Sequence, residues 1–174
     1  YVYVNASGDG LDANGSIEMS GGTVIVDGPT DGGNGALDYD ATFNISGGLL
    51  IASGSNAMLQ TPSSSSSQNT IVVSSNTSSH TLINIQDSTG TDLITYAPSK
   101  SSQVIMISSP EFKTGETYTI STGGTSTGTE IDGLYKGGSY SGGSNVATLT
   151  ISSSITSNGN LNNGMGGPGG MGRP

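Results

Sequence analysis

Apolar and polar positions alternate along the first third of the chain, and the alternation recurs. Residues 9–26 align without a gap with residues 35–52, an offset of 26 residues. Leu11 falls on Leu37, Asp12 on Asp38, Ile17 on Phe43, Met19 on Ile45, Val24 on Leu50 and Val26 on Ala52. Ser20-Gly21-Gly22 falls on Ser46-Gly47-Gly48. Side chains alternate across a strand, so Ile17 and Met19 share a side, as do Val24 and Val26. No single repeat could bury these residues alone; stacking each on its counterpart builds a core. A period in the twenties, short strands and Gly-Gly corners predict an all-β chain wound as a right-handed parallel β-helix. Glycine suits such corners because it accepts positive φ and close backbone approach.

The repeat fades after Ser53. The chain therefore divides into regular coils over 1–60, a Ser-rich loop over 61–69, a β-rich continuation or cap over 70–156, and a Gly/Asn/Met tail over 157–174. Alternation predicts strands at Thr70–Ser74, Thr81–Gln86, Leu93–Tyr96, Gln103–Ser108, Glu116–Ser121 and Ala147–Ser153, separated by Gly, Pro and Ser turn signals. Further coils and an antiparallel cap are both compatible with them, and an end of a β-helix needs a cap. The tail has the composition of a linker. It either folds back along its own chain, with Met165 and Met171 filling gaps, or lies against a neighbouring subunit. Tyr1–Val4 reads as a strand from mid-fold, so the chain is expected to be part of a longer one.

Composition narrows the class. Only 31% of residues are hydrophobic and the net charge is −9, a balance at which disorder is the default unless the apolar residues recur in strict order. A solenoid meets that condition, because its core is a narrow stack. Without cysteine there is neither a disulfide framework nor a thiol site. A sequence pI near 4.1 argues against nucleic acid and anionic membranes as partners and favours cations. No apolar run approaches a membrane span. The bias toward Ser, Thr, Gly and Asn is that of secreted and cell-surface bacterial proteins.

The acidic turns carry the first candidate chemistry. Asp12 and Asn14, preceded by Asp9, recur as Asp38 and Asp40, with Asp27, Asp31 and Asn34 on the turn between. Calcium takes six to eight oxygens from such groups. Asp12 and Asp38, one coil apart, would stand roughly 4.8 Å from each other along the stack. At that spacing two carboxylates repel, and a divalent cation reverses the sign of the interaction. Asp9, Asp12, Asn14, Asp27, Asp38 and Asp40 are thus the expected calcium ligands. Tyr39, Tyr135 and Tyr140 are the expected ligand-binding rings, the last two set among glycines and serines. Catalysis is not expected. Arg173 is the lone arginine, Lys100, Lys113 and Lys136 are scattered, and His80 stands alone among Ser and Thr.

The run from Gly8 to Thr30, followed by Gly35-Ala-Leu-Asp-Tyr-Asp40, resembles secreted bacterial proteins described as carbohydrate-binding domain-containing. Ser108 to Ile120, Thr122 to Glu130 and Asp132 to Gly143 carry further motifs of that type. The resemblance spans about residues 4–156 and implies a calcium-binding right-handed parallel β-helix. It also implies non-catalytic binding of a plant-type polysaccharide such as pectate or cellulose. The family's members extend further at the N-terminus, so this chain matches their C-terminal portion. Calcium would bridge the acidic chain to an acidic glycan. The alternative expectation is a subunit of a self-assembling extracellular fibre or surface layer, a homo-oligomer or filament joined through the tail or the open ends of the helix.

Overall fold

The computed structural model describes residues 1–159. Expectations that rest on Met165, Met171, Arg173 or the rest of the tail beyond Gly159 concern residues outside the described ones. In chain order the strands are β1 (Val2–Asn5), β2 (Leu11–Ala13), β3 (Ile17–Asp27), β4 (Leu37–Tyr39), β5 (Phe43–Gly54), β6 (Thr70–Thr77) and β7 (Ile83–Gln86). They continue with β8 (Asp92–Tyr96), β9 (Ser102–Ser108), β10 (Thr117–Ser126), β11 (Thr129–Ile131), β12 (Leu134–Lys136), β13 (Tyr140–Thr150) and β14 (Ile155–Ser157). No helix occurs among the described residues.

The 26-residue offset is a register. Strands β3 and β5 pair in parallel with Ile17 opposite Phe43, Met19 opposite Ile45, Val24 opposite Leu50 and Val26 opposite Ala52. Strands β2 and β4 pair likewise, Asp12 opposite Asp38, and β1 adds to β3 with Val2 opposite Val24. Parallel stacking then stops. Strand β9 docks antiparallel on β5, β6 antiparallel on β9, and β14 parallel on β6, giving a mixed six-stranded sheet in the order β1-β3-β5-β9-β6-β14. A second six-stranded sheet, β11-β12-β8-β7-β10-β13, is antiparallel throughout. The parallel β-helix predicted above is therefore corrected to an all-β architecture of mixed and antiparallel sheets.

The physical reason lies on the face of β3 and β5 that a solenoid would leave to solvent. Ile25 and Ile51, between the inward residues, are fully buried. They belong to a core made with Ile83, Ile85, Tyr96 and Ile120 of the second sheet. On the opposite face, Met19, Val26, Phe43, Ile45 and Leu50 pack with Leu37, Leu59, Val72 and Met106. The apolar runs Val24-Ile25-Val26 and Leu49-Leu50-Ile51 are apolar on consecutive positions, as strands covered on both faces must be. Nor are the Gly-Gly pairs corners. They interrupt the register inside the continuous strands β3 and β5, with φ of +80° at Gly22 and +90° at Gly48. A Cβ on Gly48 would lie 2.6 Å from the backbone of Gly21 and Gly22, so the kinks nest only without side chains.

Candidate functional site

Four carboxylates collect at the β2–β4 ladder. Asp12 and Asp38 are Cα partners, and Asp40 follows β4 on the exposed side. Asp9 is committed in part, since its Oδ1 accepts from the Gly35 amide at 2.7 Å and ties the two repeats together. The half-buried Asp38 carboxyl is held above the usual carboxylate range, first by burial and then by repulsion from Asp9, Asp12 and Asp40. These oxygens suit calcium in kind. Yet among the described residues no three acidic or histidine side chains are gathered closely enough to hold a metal ion.

Asp27 does not join that cluster. It is the last residue of β3 rather than part of a turn, it is 1% exposed, and both its oxygens are occupied. Oδ1 accepts from Ser53 Oγ at 3.0 Å and from Tyr96 Oη; Oδ2 accepts from Tyr3 Oη at 2.9 Å and the Ser99 amide at 3.2 Å. Burial alone would raise its carboxyl, but these hydrogen bonds outweigh burial and hold it below the ordinary range. Tyr96 lies on the second sheet, so Asp27 is a bolt between sheets, and its role as a calcium ligand is corrected. Asp31 Oδ1 accepts from the Gly33 amide and Asn34 Nδ2, a local turn. Asn14 is exposed. Tyr39 is also spent on structure: its ring meets Phe43 edge-on at 6.1 Å and its hydroxyl donates to Thr61 O at 2.6 Å.

Tyr135 and Tyr140 come together instead. Strands β10 and β13 form a long hairpin, which continues past Ser126 opposite Tyr140 into β11 and β12. The hairpin bends there, and its end returns to pair β12 with β8, Leu134 opposite Tyr96 and Tyr135 opposite Thr95. Gly137 and Gly138 take φ of +66° and +70°, and a Cβ on Gly138 would sit 2.4 Å from the Gly128 amide nitrogen. The bend therefore needs glycine. It encloses a cleft of about 310 Å³, lined among others by Asp92, Leu93, Leu134, Tyr135, Lys136 and Tyr140.

No protein-family model, curated protein or solved structure matches the chain. The family resemblance thus rests on its motifs, and the chemistry of the cleft on its residues. Asp92 was not among the residues singled out from sequence, yet it anchors the site. Its Oδ1 accepts from Gln86 Nε2 at 2.8 Å and Asn84 Nδ2 at 3.1 Å, and its Oδ2 accepts from the Tyr140 amide at 2.9 Å. Burial pushes its carboxyl up, but those donors together hold it below the usual range, so it is ionised at neutral pH. Tyr140 donates its hydroxyl to Gly123 O at 2.9 Å, and burial followed by the nearby Asp92 charge raises its phenol. The fully buried Asn84 leaves its Oδ1 without a partner among the described residues while its amide grips Asp92 and Thr95 Oγ1. Two aromatic rings, a fixed carboxylate and a lysine in one hollow suit a ligand with apolar faces and hydroxyl edges. The signal available in sequence was the Tyr-rich glycine stretch; nothing there pointed to Asp92.

Proposed function

We propose that this chain is a non-catalytic, extracellular polysaccharide-binding protein that holds its glycan in the Tyr135–Tyr140 cleft. The observation that carries the reading is that Tyr135, Tyr140 and the Asp92 carboxylate, which accepts from the Tyr140 amide, line one cleft. A sugar ring offers an apolar face to a tyrosine and hydroxyls to a carboxylate, which accepts them strongly. A single carboxylate among the cleft-lining residues supports binding rather than hydrolysis, which uses two. Calcium fits the reading through the Asp12–Asp38 ladder, where a cation would relieve the repulsion at Asp38 and bridge to an acidic glycan such as pectate. Affinity electrophoresis through polygalacturonate and through soluble cellulose derivatives, with and without chelator, tests it. Retardation should fall in Tyr135→Ala, and for polygalacturonate also on chelation. Mobility equal to that in plain gel on every glycan would overturn the proposal.

The second reading, a subunit of an extracellular fibre, is favoured by a different surface. Beside the edge strand β1, Val2, Leu11, Ile17, Met19, Val24 and Phe43 line an open hollow of about 400 Å³, and Tyr1 and Val2 are 63% and 47% exposed. Exposed apolar surface of this kind suits association with a second copy of the chain. Sedimentation over a wide concentration range decides it: a strict monomer throughout rejects the fibre.

A further inference from the structure

Asparagine followed by glycine occurs at Asn14-Gly15, Asn34-Gly35 and Asn158-Gly159, and again at Asn163-Gly164 outside the described residues. In such a pair the glycine amide nitrogen can attack the asparagine carboxamide carbon, because glycine has no Cβ to obstruct the ring that forms. The attack needs a free amide, a loose side chain and water. At Asn34-Gly35 the nucleophile is engaged: the buried Gly35 amide donates to Asp9 Oδ1 at 2.7 Å, and Asn34 Nδ2 donates to Asp31 Oδ1 at 3.3 Å. The Asp9 carboxylate also opposes the negative charge that this nitrogen must carry to attack. At Asn158 the carboxamide is held at both ends, Oδ1 accepting from the Ser74 amide at 2.7 Å and Nδ2 donating to Ser74 O at 3.2 Å. Asn14 differs from both. Its side chain is exposed, and neither its carboxamide nor the Gly15 amide has a hydrogen-bond partner among the described residues. A Cβ on Gly15 would meet nothing within 4 Å.

We propose that Asn14 is a modification site, deamidating with water as the co-reactant and no enzyme. The Gly15 nitrogen loses its proton to solvent and bonds to Asn14 Cγ, and the side-chain nitrogen leaves as ammonia. Water then opens the five-membered imide at either carbonyl, giving aspartate or isoaspartate, in which the backbone runs through the former side chain. Nothing is oxidised or reduced. The place of Asn14 in the repeat gives the change its effect. Asn14 is the counterpart of Asp40, so a new carboxylate there stands beside Asp40 as Asp12 stands beside Asp38. Asp38 already feels repulsion from Asp9, Asp12 and Asp40. Isoaspartate acts on the backbone instead. Two register bonds bracket Asn14, the Asp40 amide donating to Ala13 O at 3.1 Å and the Ala41 amide to Gly15 O at 3.0 Å, and the isomer lengthens the chain between them. Both products therefore loosen the β2–β4 ladder. The site does not rest on the tyrosine cleft.

Ageing the full chain at mildly alkaline pH, with and without urea, tests the proposal by peptide mass spectrometry, since deamidation makes a peptide about one dalton heavier. In the folded chain Asn14 should convert, while Asn34 and Asn158, which react only through local opening, should lag by at least about tenfold. In urea all three should convert at comparable rates. Gly15→Ala should slow conversion of Asn14 by about tenfold or more while leaving the fold intact, because the added Cβ meets open space and Gly15 does not take positive φ. The converted fraction, separated by anion exchange on its extra negative charge, should melt below the parent. An Asn14 that converts in urea but stays unmodified in the folded chain would overturn the proposal. So would Asn34 converting as fast as Asn14 in the folded chain, or a converted fraction that melts with the parent.

Discussion

Replacing Asp27 by asparagine keeps the shape of the side chain and removes its charge, which isolates what the carboxylate contributes. Four donors point at it: Tyr3 Oη, Tyr96 Oη, Ser53 Oγ and the Ser99 amide. Hydrogen bonds to a charged group contribute about 1.5–3 kcal/mol and neutral ones about 0.5–1.5. The Ser99 amide can only donate, so the new carboxamide must turn its oxygen toward Ser99 and Tyr3 and its NH₂ toward Ser53 and Tyr96. Those two hydroxyls must then reverse as acceptors. Ser53 has Val26 O at 3.5 Å to receive its displaced proton, whereas Tyr96, fully buried, has Ser53 Oγ at 3.4 Å. Weakening two bonds and rearranging two more costs about 3 kcal/mol for Asp27→Asn, and Asp27→Ala, which orphans all four donors, costs roughly 5.

Acid supplies an independent check. Because the folded-state carboxyl is depressed, its stabilisation is complete above the unfolded value near 3.9 and is lost as pH falls toward the folded value. Urea unfolding at neutral pH and at about pH 3 should therefore show the gap between parent and Asp27→Asn narrowing on acidification. An unchanged midpoint at neutral pH, or a gap that does not move with pH, would refute the idea that a charged acceptor bolts the sheets together.

Three further outcomes follow from single observations. Gly48→Ala should lower stability by about 2 kcal/mol or more, since a Cβ there meets backbone at 2.6 Å and φ is +90°, whereas Gly22→Ala, with open space around it, should cost about 1; equal melting temperatures would deny the nesting of the kinks. Asp38→Asn should raise the melting temperature at neutral pH without calcium. A carboxyl raised by burial and like charges destabilises the fold once it ionises, so the gain should vanish as pH falls below the unfolded value near 3.9. Calcium should stabilise the parent more than this variant, and a chelator titration followed by calorimetry reads the difference.

The 26-residue register was legible in the sequence because parallel in-register pairing places like on like, and Ile17 over Phe43 or Asp12 over Asp38 is visible as a repeat. Strands β6 to β10 were legible for a similar reason, since alternation of apolar residues is a local property. What sits against each face is not local. Val24-Ile25-Val26 is apolar on consecutive positions, which signals burial on both faces, but the pattern does not name the covering element. That element, with Ile83, Ile85 and Ile120, comes from far along the chain. The choice of β9 as antiparallel neighbour of β5, which ends the parallel stack, likewise depends on which edge and which apolar face remain free once other strands have docked.

The same distinction separates the sites. The Asp ladder follows from register, so sequence placed Asp12 beside Asp38. Asp27 looked like one more acidic turn residue until Tyr96, 69 residues away, reached it across the sheets. Tyr135 and Tyr140 share a cleft only because a glycine bend returns their hairpin to β8, where Asp92 waits. Sequence determined the strands and the pairing of the repeats, which are short-range regularities of hydrophobicity. Tertiary structure decided fold and cleft, because desolvation and hydrogen bonding act between residues that only the packed sheets bring together.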